Sequence, residues 1–189
     1  MKKVASLFPI LSGLFICFVY GLRKFAPTLR QLYFPALYLI PAALVLTRSV
    51  KFSEMGFRIG KPFNGLLIAF MLPVVLFARF KLMGLPMGIF PGWQGIVLGS
   101  IGEEVFFRGY LQGQFDKFFG PNLSILLTNF FFTLVHVVKG YSLITALMIL
   151  AVGVYFSFGR DKRGGDSTLW GMIAHPLYNL VAANAPSGI

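Results

Sequence analysis

Apolar runs bounded by charge, Gly or Pro recur along the whole chain, near residues 4–22, 32–47, 64–78, 94–114, 121–138, 141–159 and 168–185. A backbone placed in hydrocarbon has no water to bond, so runs of this kind must satisfy their own N–H and C=O groups as helices. Composition agrees, because 57% hydrophobic and 12% charged residues over 189 positions, with a mean hydropathy of +0.77, is too apolar for a soluble domain of this size. At roughly 20 residues per span, the length accommodates about six to seven helices and no separate soluble domain. The expected fold class is all-α: a polytopic transmembrane helical bundle with about six to seven helices, some short or kinked. Residues 1–189 are expected to form one domain with the lipid bilayer as its solvent.

The second and third runs are short for full spans and contain Pro35, Pro41 and Pro73, which remove backbone donors and favour kinks. Between Leu82 and Gly95 the breakers Gly84, Pro86, Gly88, Pro91 and Gly92 predict an interfacial or re-entrant loop, with Trp93 suited to a headgroup anchor. The spacings Gly95/Gly99 and Gly109/Gly113 allow close helix approach and place the fourth helix centrally. The start Met1-Lys2-Lys3 has the charge of a signal peptide but no small-x-small cleavage site follows, so a retained first helix is expected. Cys17 lies inside that run as a packing residue.

The net charge of +11 comes mainly from basic residues at the ends of apolar runs, a membrane-flanking pattern that argues against a nucleic-acid partner. With a cytoplasmic amino terminus, the loop cations divide into ten inside (Lys2, Lys3, Arg48, Lys51, Arg58, Lys61, Lys117, Arg160, Lys162, Arg163) and six outside (Arg23, Lys24, Arg30, Arg79, Lys81, Lys139). Nothing in the sequence selects an oligomeric state.

Of the six acidic residues, Glu54, Asp116, Asp161 and Asp166 fall in predicted loops. Glu103 and Glu104 instead stand inside an apolar run, in Gly102-Glu-Glu-Val-Phe-Phe-Arg-Gly109. Three ionisable groups facing lipid would cost about 8–10 kcal/mol if additive, so they must face protein or enclosed water. Glu104 and Arg108 are neighbours one helical turn apart and can neutralise each other. Glu103 points about 100° away and lacks that helical partner, which makes it the candidate general base.

Both histidines of the chain also lie in apolar runs. Phe132 and His136 share one helical face, and so do His175 and Asn179, which can donate hydrogen bonds toward a common point. Such residues suffice for a hydrolytic site in which Glu and His activate water and His and Asn donors hold an oxyanion. Less favoured alternatives are a buried ion pair that only orders the bundle and a metal bound by Glu, His136 and His175, although no H-E-x-x-H is present. Ser124, Ser142 and Ser157 have no paired base in the sequence, and no G-x-S-x-G occurs.

In order, Glu103-Glu104-Val-Phe-Phe-Arg108, Phe132-Thr-Leu-Val-His136 and His175-Pro-Leu-Tyr-Asn179 resemble the E-E-x-x-x-R, F-x-x-x-H and H-x-x-x-N motifs of the CAAX protease and bacteriocin-processing family of glutamate-type intramembrane endopeptidases. The stretch from Gly153 through Ser167-Thr168-Leu169-Trp170 to His175 also looks like that family's approach to its last motif. The resemblance covers about residues 95–183, whereas the first three helices match only in hydrophobicity and in the linker Glu54-Met-Gly-Phe-Arg58. Pro176 inside the last motif predicts a local kink or a helix start.

Carried onto these positions, the resemblance implies that Glu103 and His136 activate the water, that His175 and Asn179 form the oxyanion site, and that Glu104 with Arg108 holds the site in shape. It implies no metal and no cofactor, and as partner a membrane-anchored or lipidated protein or peptide cut near its C-terminus. Its bacterial members imply a cytoplasmic (inner) membrane setting. A non-catalytic scaffold or bacteriocin-immunity protein remains an alternative, as does a proton or solute pathway through the buried carboxylates.

Overall fold

The computed structural model describes residues 2–22, 30–85 and 92–184. Among them are seven helices: α1 (Lys2–Leu22), α2 (Arg30–Leu46), α3 (Pro62–Leu82), α4 (Trp93–Glu103, Glu104–Leu111 and Gln112–Phe119 in one run), α5 (Pro121–Val138), α6 (Leu143–Arg160) and α7 (Thr168–Ala182). A single 3-10 turn, Phe52–Met55, stands between α2 and α3, and no strand occurs among the described residues.

Local chemistry explains most of these boundaries. Pro62 and Pro121 open α3 and α5 at the first turn, where the absent N–H has no intrahelical acceptor to lose. Ser142 and Ser167 begin α6 and α7 by accepting the N–H groups of Thr145 and Leu169 on their hydroxyls. Gly120, at φ 79°, makes the sharp turn from α4 into α5.

Several boundaries differ from the sequence expectation. α3 spans 21 residues, because Arg79 and Lys81 are accommodated in its last turn rather than ending it. α2 runs through Pro35 and Pro41 without a break in its assignment, and α7 runs through Pro176 after starting eight residues earlier, so Pro176 is no helix start. Asp116, expected in a loop, sits in the last segment of α4. Of the predicted loop before Gly95, Gly84 and Gly92 both take positive φ, whereas residues 86–91 lie outside the described residues, as do Arg23 and Lys24.

Three helices, α3, α5 and α6, are long and apolar enough to cross a membrane, and α1 and α2 carry shorter apolar stretches. Their outer faces are bare hydrocarbon: Phe8, Leu11 and Phe18 on α1, Phe63, Phe70 and Val74 on α3, and Leu143 and Leu147 on α6 are all exposed. The interior holds Glu103, Glu104, Arg108, Gln112, Asn129, Ser157 and His175. Such an inverted distribution belongs to a membrane protein, in which polar groups retreat from lipid. Trp93 is partly exposed at the start of α4, consistent with an interfacial position.

The connections tie one end of the bundle together. Arg160 donates to the Glu54 carbonyl, Thr168 bonds the carbonyls of Met55 and Gly56, Lys61 N–H reaches Gly165, and Lys117 pairs with Glu54. Ser167 additionally donates to the carbonyl of Arg58, and Arg58 pairs with Asp166. Arg163 bridges Asp161 and Asn122. The opposite end, where α1 finishes and α2 begins, receives Lys139 beside the rings of Tyr20 and Tyr33.

The clasped end carries two acid-sensitive groups. Burial pushes the Glu54 carboxyl up, but hydrogen bonds from Gln114 and Lys117 outweigh it and hold the group below its usual range. For Asp161 burial is likewise outweighed, by the side chain and backbone N–H of Arg163. A carboxyl lowered in the folded state stabilises the fold above its unfolded value, and that contribution disappears as pH falls through the folded value. The thermal midpoint in detergent should therefore decline as pH drops below about 4.5. Glu54→Gln combined with Asp161→Asn should flatten part of that decline and lower the midpoint at neutral pH; an unaltered profile would show that these carboxylates do not hold the clasp.

Candidate active site

Helix α4 widens where its charged residues stand. From Glu104 to Leu111 its hydrogen bonds follow the π pattern, reaching back five residues instead of four, as in Gln112 N–H to the carbonyl of Phe107. Phe106, Phe107, Arg108, Tyr110 and Leu111 are all fully buried here, so side chains point inward around the whole segment. Close neighbours are needed on every side. Gly171 supplies one on α7, where a Cβ would collide with the Glu104 carboxylate, and Gly153 supplies another on α6, where a Cβ would lie 2.5 Å from Asn129 Oδ1 and 3.2 Å from Arg108 Nη2.

Glu104 and Arg108 have no exposed side-chain surface, and Glu104 Oε1 meets Arg108 Nη1 at 3.1 Å as an ion pair without good hydrogen-bond angles. Arg108 Nη2 donates to the Gly153 carbonyl at 3.0 Å and to Asn129 Oδ1 at 3.2 Å, and its guanidinium lies 4.3 Å from the centre of the Phe132 ring. Asn129 is held in turn by the Ile125 carbonyl and the Ser157 hydroxyl. Of the serines considered above, Ser157 thus belongs to the support of Arg108, Ser124 donates to the Pro121 carbonyl, and Ser142 caps α6.

Two rungs join α4 to α7. His175 Nδ1 donates to Glu104 Oε1 at 2.8 Å, and Asn179 Nδ2 donates to Ser100 Oγ at 2.9 Å. Ser100 and Glu104 are four apart on one helix, as are His175 and Asn179 on the other, so the faces match in antiparallel register. The structure here differs from the expectation that His175 and Asn179 donate to a common point. Their shared face is occupied by an equally spaced polar pair, each taking one donor.

Glu103 faces the other way from Glu104 and meets groups from three further helices. Its Oε1 accepts from the Tyr33 hydroxyl at 3.0 Å and from Lys139 Nζ at 3.2 Å, while its Oε2 lies 3.7 Å from His175 Nε2. Its lack of a partner on its own helix is thus met from α2 and from the turn after α5. Tyr33 and Lys139 were not singled out as site residues by sequence reasoning, for Tyr33 is one aromatic in an apolar run and Lys139 looks like a membrane-flanking cation. The sequence required only that Glu103 face protein or enclosed water.

His136 Nδ1 is 2.8 Å from the Phe132 carbonyl. A carbonyl only accepts, so Nδ1 carries the proton and the neutral ring presents a lone pair at Nε2. The His136 ring packs 4.7 Å from that of Phe132, which also contacts the His175 ring at 5.8 Å. Phe156 stacks on His175 from α6 at 5.0 Å. Its position on the face that also carries Gly153 and Ser157 was the sequence signal available for it. Among the described residues, no group of three His, Cys, Asp and Glu side chains has the geometry to hold a metal ion.

A family model described as Rce1-like type II CAAX prenyl endopeptidase matches residues 84–181, just over half of the chain. The chain belongs to that family. Comparison with curated proteins and with solved structures finds no match. All three motif segments of this Rce1-like protein lie inside the matched range, whereas Tyr33 lies outside it. Membership supports membrane-embedded CAAX-type protease chemistry and agrees with the helical, lipid-facing architecture.

Removing Arg108 would take away the ion partner of a carboxyl group with no exposed surface. Truncating one member of a buried ion pair typically costs about 3–5 kcal/mol. Arg108→Met should lower the unfolding free energy in micelles by about that much, measured by denaturant titration. A loss below about 1 kcal/mol would show that the pair does not anchor the bundle.

Proposed function

We propose that this Rce1-like protein is an intramembrane endopeptidase that hydrolyses a peptide bond near the C-terminus of a lipidated or membrane-anchored protein. The observation that supports this reading most is the division of labour between adjacent carboxylates. Each takes its donors on Oε1, but the second oxygen of Glu104 is sealed against Gly171 in a side chain with no exposed surface, whereas Glu103 retains 8% of its side-chain surface and turns Oε2 toward His175.

In this reading the attacking water gives a proton to Glu103 Oε2 and a hydrogen bond to the lone pair on His136 Nε2 as its oxygen bonds the scissile carbonyl carbon. The oxyanion that forms takes a donor from Asn179, whose amide has two N–H groups, only one of which Ser100 requires, while His175, its Nδ1–H donated to Glu104, fixes α7 beside the site. As the tetrahedral intermediate collapses, the C–N bond breaks and the leaving amine takes the proton held by Glu103. Glu104 and Arg108 position the carboxylate pair and His175.

Charge balance favours water activation without a metal. Two carboxylates, Glu103 and Glu104, are matched by two cations, Lys139 and Arg108, so a divalent ion would add unbalanced positive charge to an apolar interior. The exposed apolar faces of the bundle suit a substrate delivered along the membrane by its lipid or its transmembrane segment.

Glu103→Gln and His136→Ala should each reduce cleavage of a prenylated, membrane-anchored peptide by at least about 100-fold while leaving the protein folded. Asn179→Ala should cost about 10- to 1000-fold in kcat. Activity should persist in a strong chelator. Full activity in both Glu103→Gln and His136→Ala would refute the protease reading, and loss in chelator restored by zinc would refute its metal-free form.

A further inference from the structure

The Glu103 carboxylate is enclosed by groups from four other helices or their ends: Tyr33 on α2, Lys139 at the end of α5, His175 on α7, and Tyr20 of α1 beneath the Lys139 ammonium. Two of the direct contacts share one oxygen. Tyr33 Oη and Lys139 Nζ both reach Oε1, at 3.0 and 3.2 Å, and neither residue belongs to the three motif segments.

Lys139 is itself tightly placed. Its ammonium lies 4.8 Å from the centre of the Tyr20 ring and 5.3 Å from that of Tyr33, and its side chain retains 15% of its surface. The two tyrosine rings pack edge to face at 4.7 Å. A cation between aromatic faces with a carboxylate as its ion partner is held by three attractive contacts, so it loses little when kept from water. Tyr33 is 1% exposed and donates its hydroxyl to the same oxygen.

We propose that Lys139 and Tyr33 are positioning residues for hydrolysis: together they clamp Oε1 of Glu103, keep the carboxylate ionised inside the bundle and leave Oε2 as the oxygen that takes the proton from water. The proposal rests on the endopeptidase reading and extends it to two residues that act through Glu103. With Oε1 saturated by two donors, the carboxylate cannot rotate to exchange its oxygens without breaking both contacts. The lone pair that receives the proton is thereby kept on the side of His175.

The test uses the full-length protein in a detergent without ester groups. Lys139→Met should lower kcat by about 100-fold with KM changed by less than about 3-fold, and Lys139→Arg, which restores the cation, should recover to within about 10-fold of the starting rate. Tyr33→Phe should lower kcat by about 10-fold, and the double variant should lose less than the product of the two, since both act on one carboxylate.

A second readout is independent of proteolysis. In Lys139→Met the infrared carbonyl stretch of a protonated carboxyl group should appear at neutral pH and vanish when Glu103→Gln is added. If no peptide is cleaved by the unaltered protein, the endopeptidase reading fails while this band still reports whether Lys139 keeps Glu103 ionised. The proposal is overturned if the band is absent in Lys139→Met, if Lys139→Arg is as inactive as Lys139→Met, or if Lys139→Met raises KM alone, which would make Lys139 a substrate contact.

Discussion

A carboxylate without exposed surface has to be compensated by groups brought to it, and Glu104 receives them from its own helix and from α7. Arg108 alone would neutralise it one turn away. The guanidinium, however, carries more donors than Glu104 can accept, and it draws in the Gly153 carbonyl of α6 and Asn129 of α5. Four helices are thus referred to one ion pair. The glycines at 153 and 171 follow from the same requirement, since a methyl group at either would occupy space taken by the charged side chains or their partners. Phe132, packed on the guanidinium and against both histidine rings, fills the remaining apolar volume.

Adjacent glutamates differ in freedom because the helix turns them to different neighbours. Glu104 faces Arg108 and His175, so its charge is consumed in assembly. Glu103 faces Tyr33 and Lys139, and its second oxygen is turned toward His175 rather than sealed against backbone as that of Glu104 is against Gly171. Proton transfer from water needs a group that is charged, placed and within reach of water, and of the two only Glu103 retains any exposed side-chain surface. The protease reading of this Rce1-like chain depends on that asymmetry more than on the count of polar residues.

The bundle also keeps the charges that join its loops away from its site. Glu54, Arg58, Asp116, Lys117, Arg160, Asp161, Arg163 and Asp166 gather in ion pairs at one end, where the turn before α3, the end of α4 and the turn before α7 meet. Glu103 and Lys139 lie toward the other end, with Tyr20 and Tyr33. Ion pairs at the exposed end are screened by water and contribute modestly one by one; their effect comes from joining loops that no apolar contact would hold.

From the amino-acid order alone followed the helical membrane class, the approximate position of seven helices, and the presence of Glu103, Glu104, Arg108, His136, His175 and Asn179 in apolar surroundings. Each of these is a local property: hydropathy sets burial in lipid, and the four-residue spacing sets which side chains share a face. Apart from Glu104 with Arg108, one turn apart on the same helix, only the tertiary structure decided their partners. That His175 goes to Glu104 and Asn179 to Ser100 depends on the antiparallel register of α4 and α7, and that Glu103 meets Tyr33 and Lys139 depends on packing between segments 70 and 36 residues away. Lys139 shows the limit most clearly. In the sequence it is one more cation at the end of an apolar run, and only the approach of α1 and α2 turns it inward onto a carboxylate.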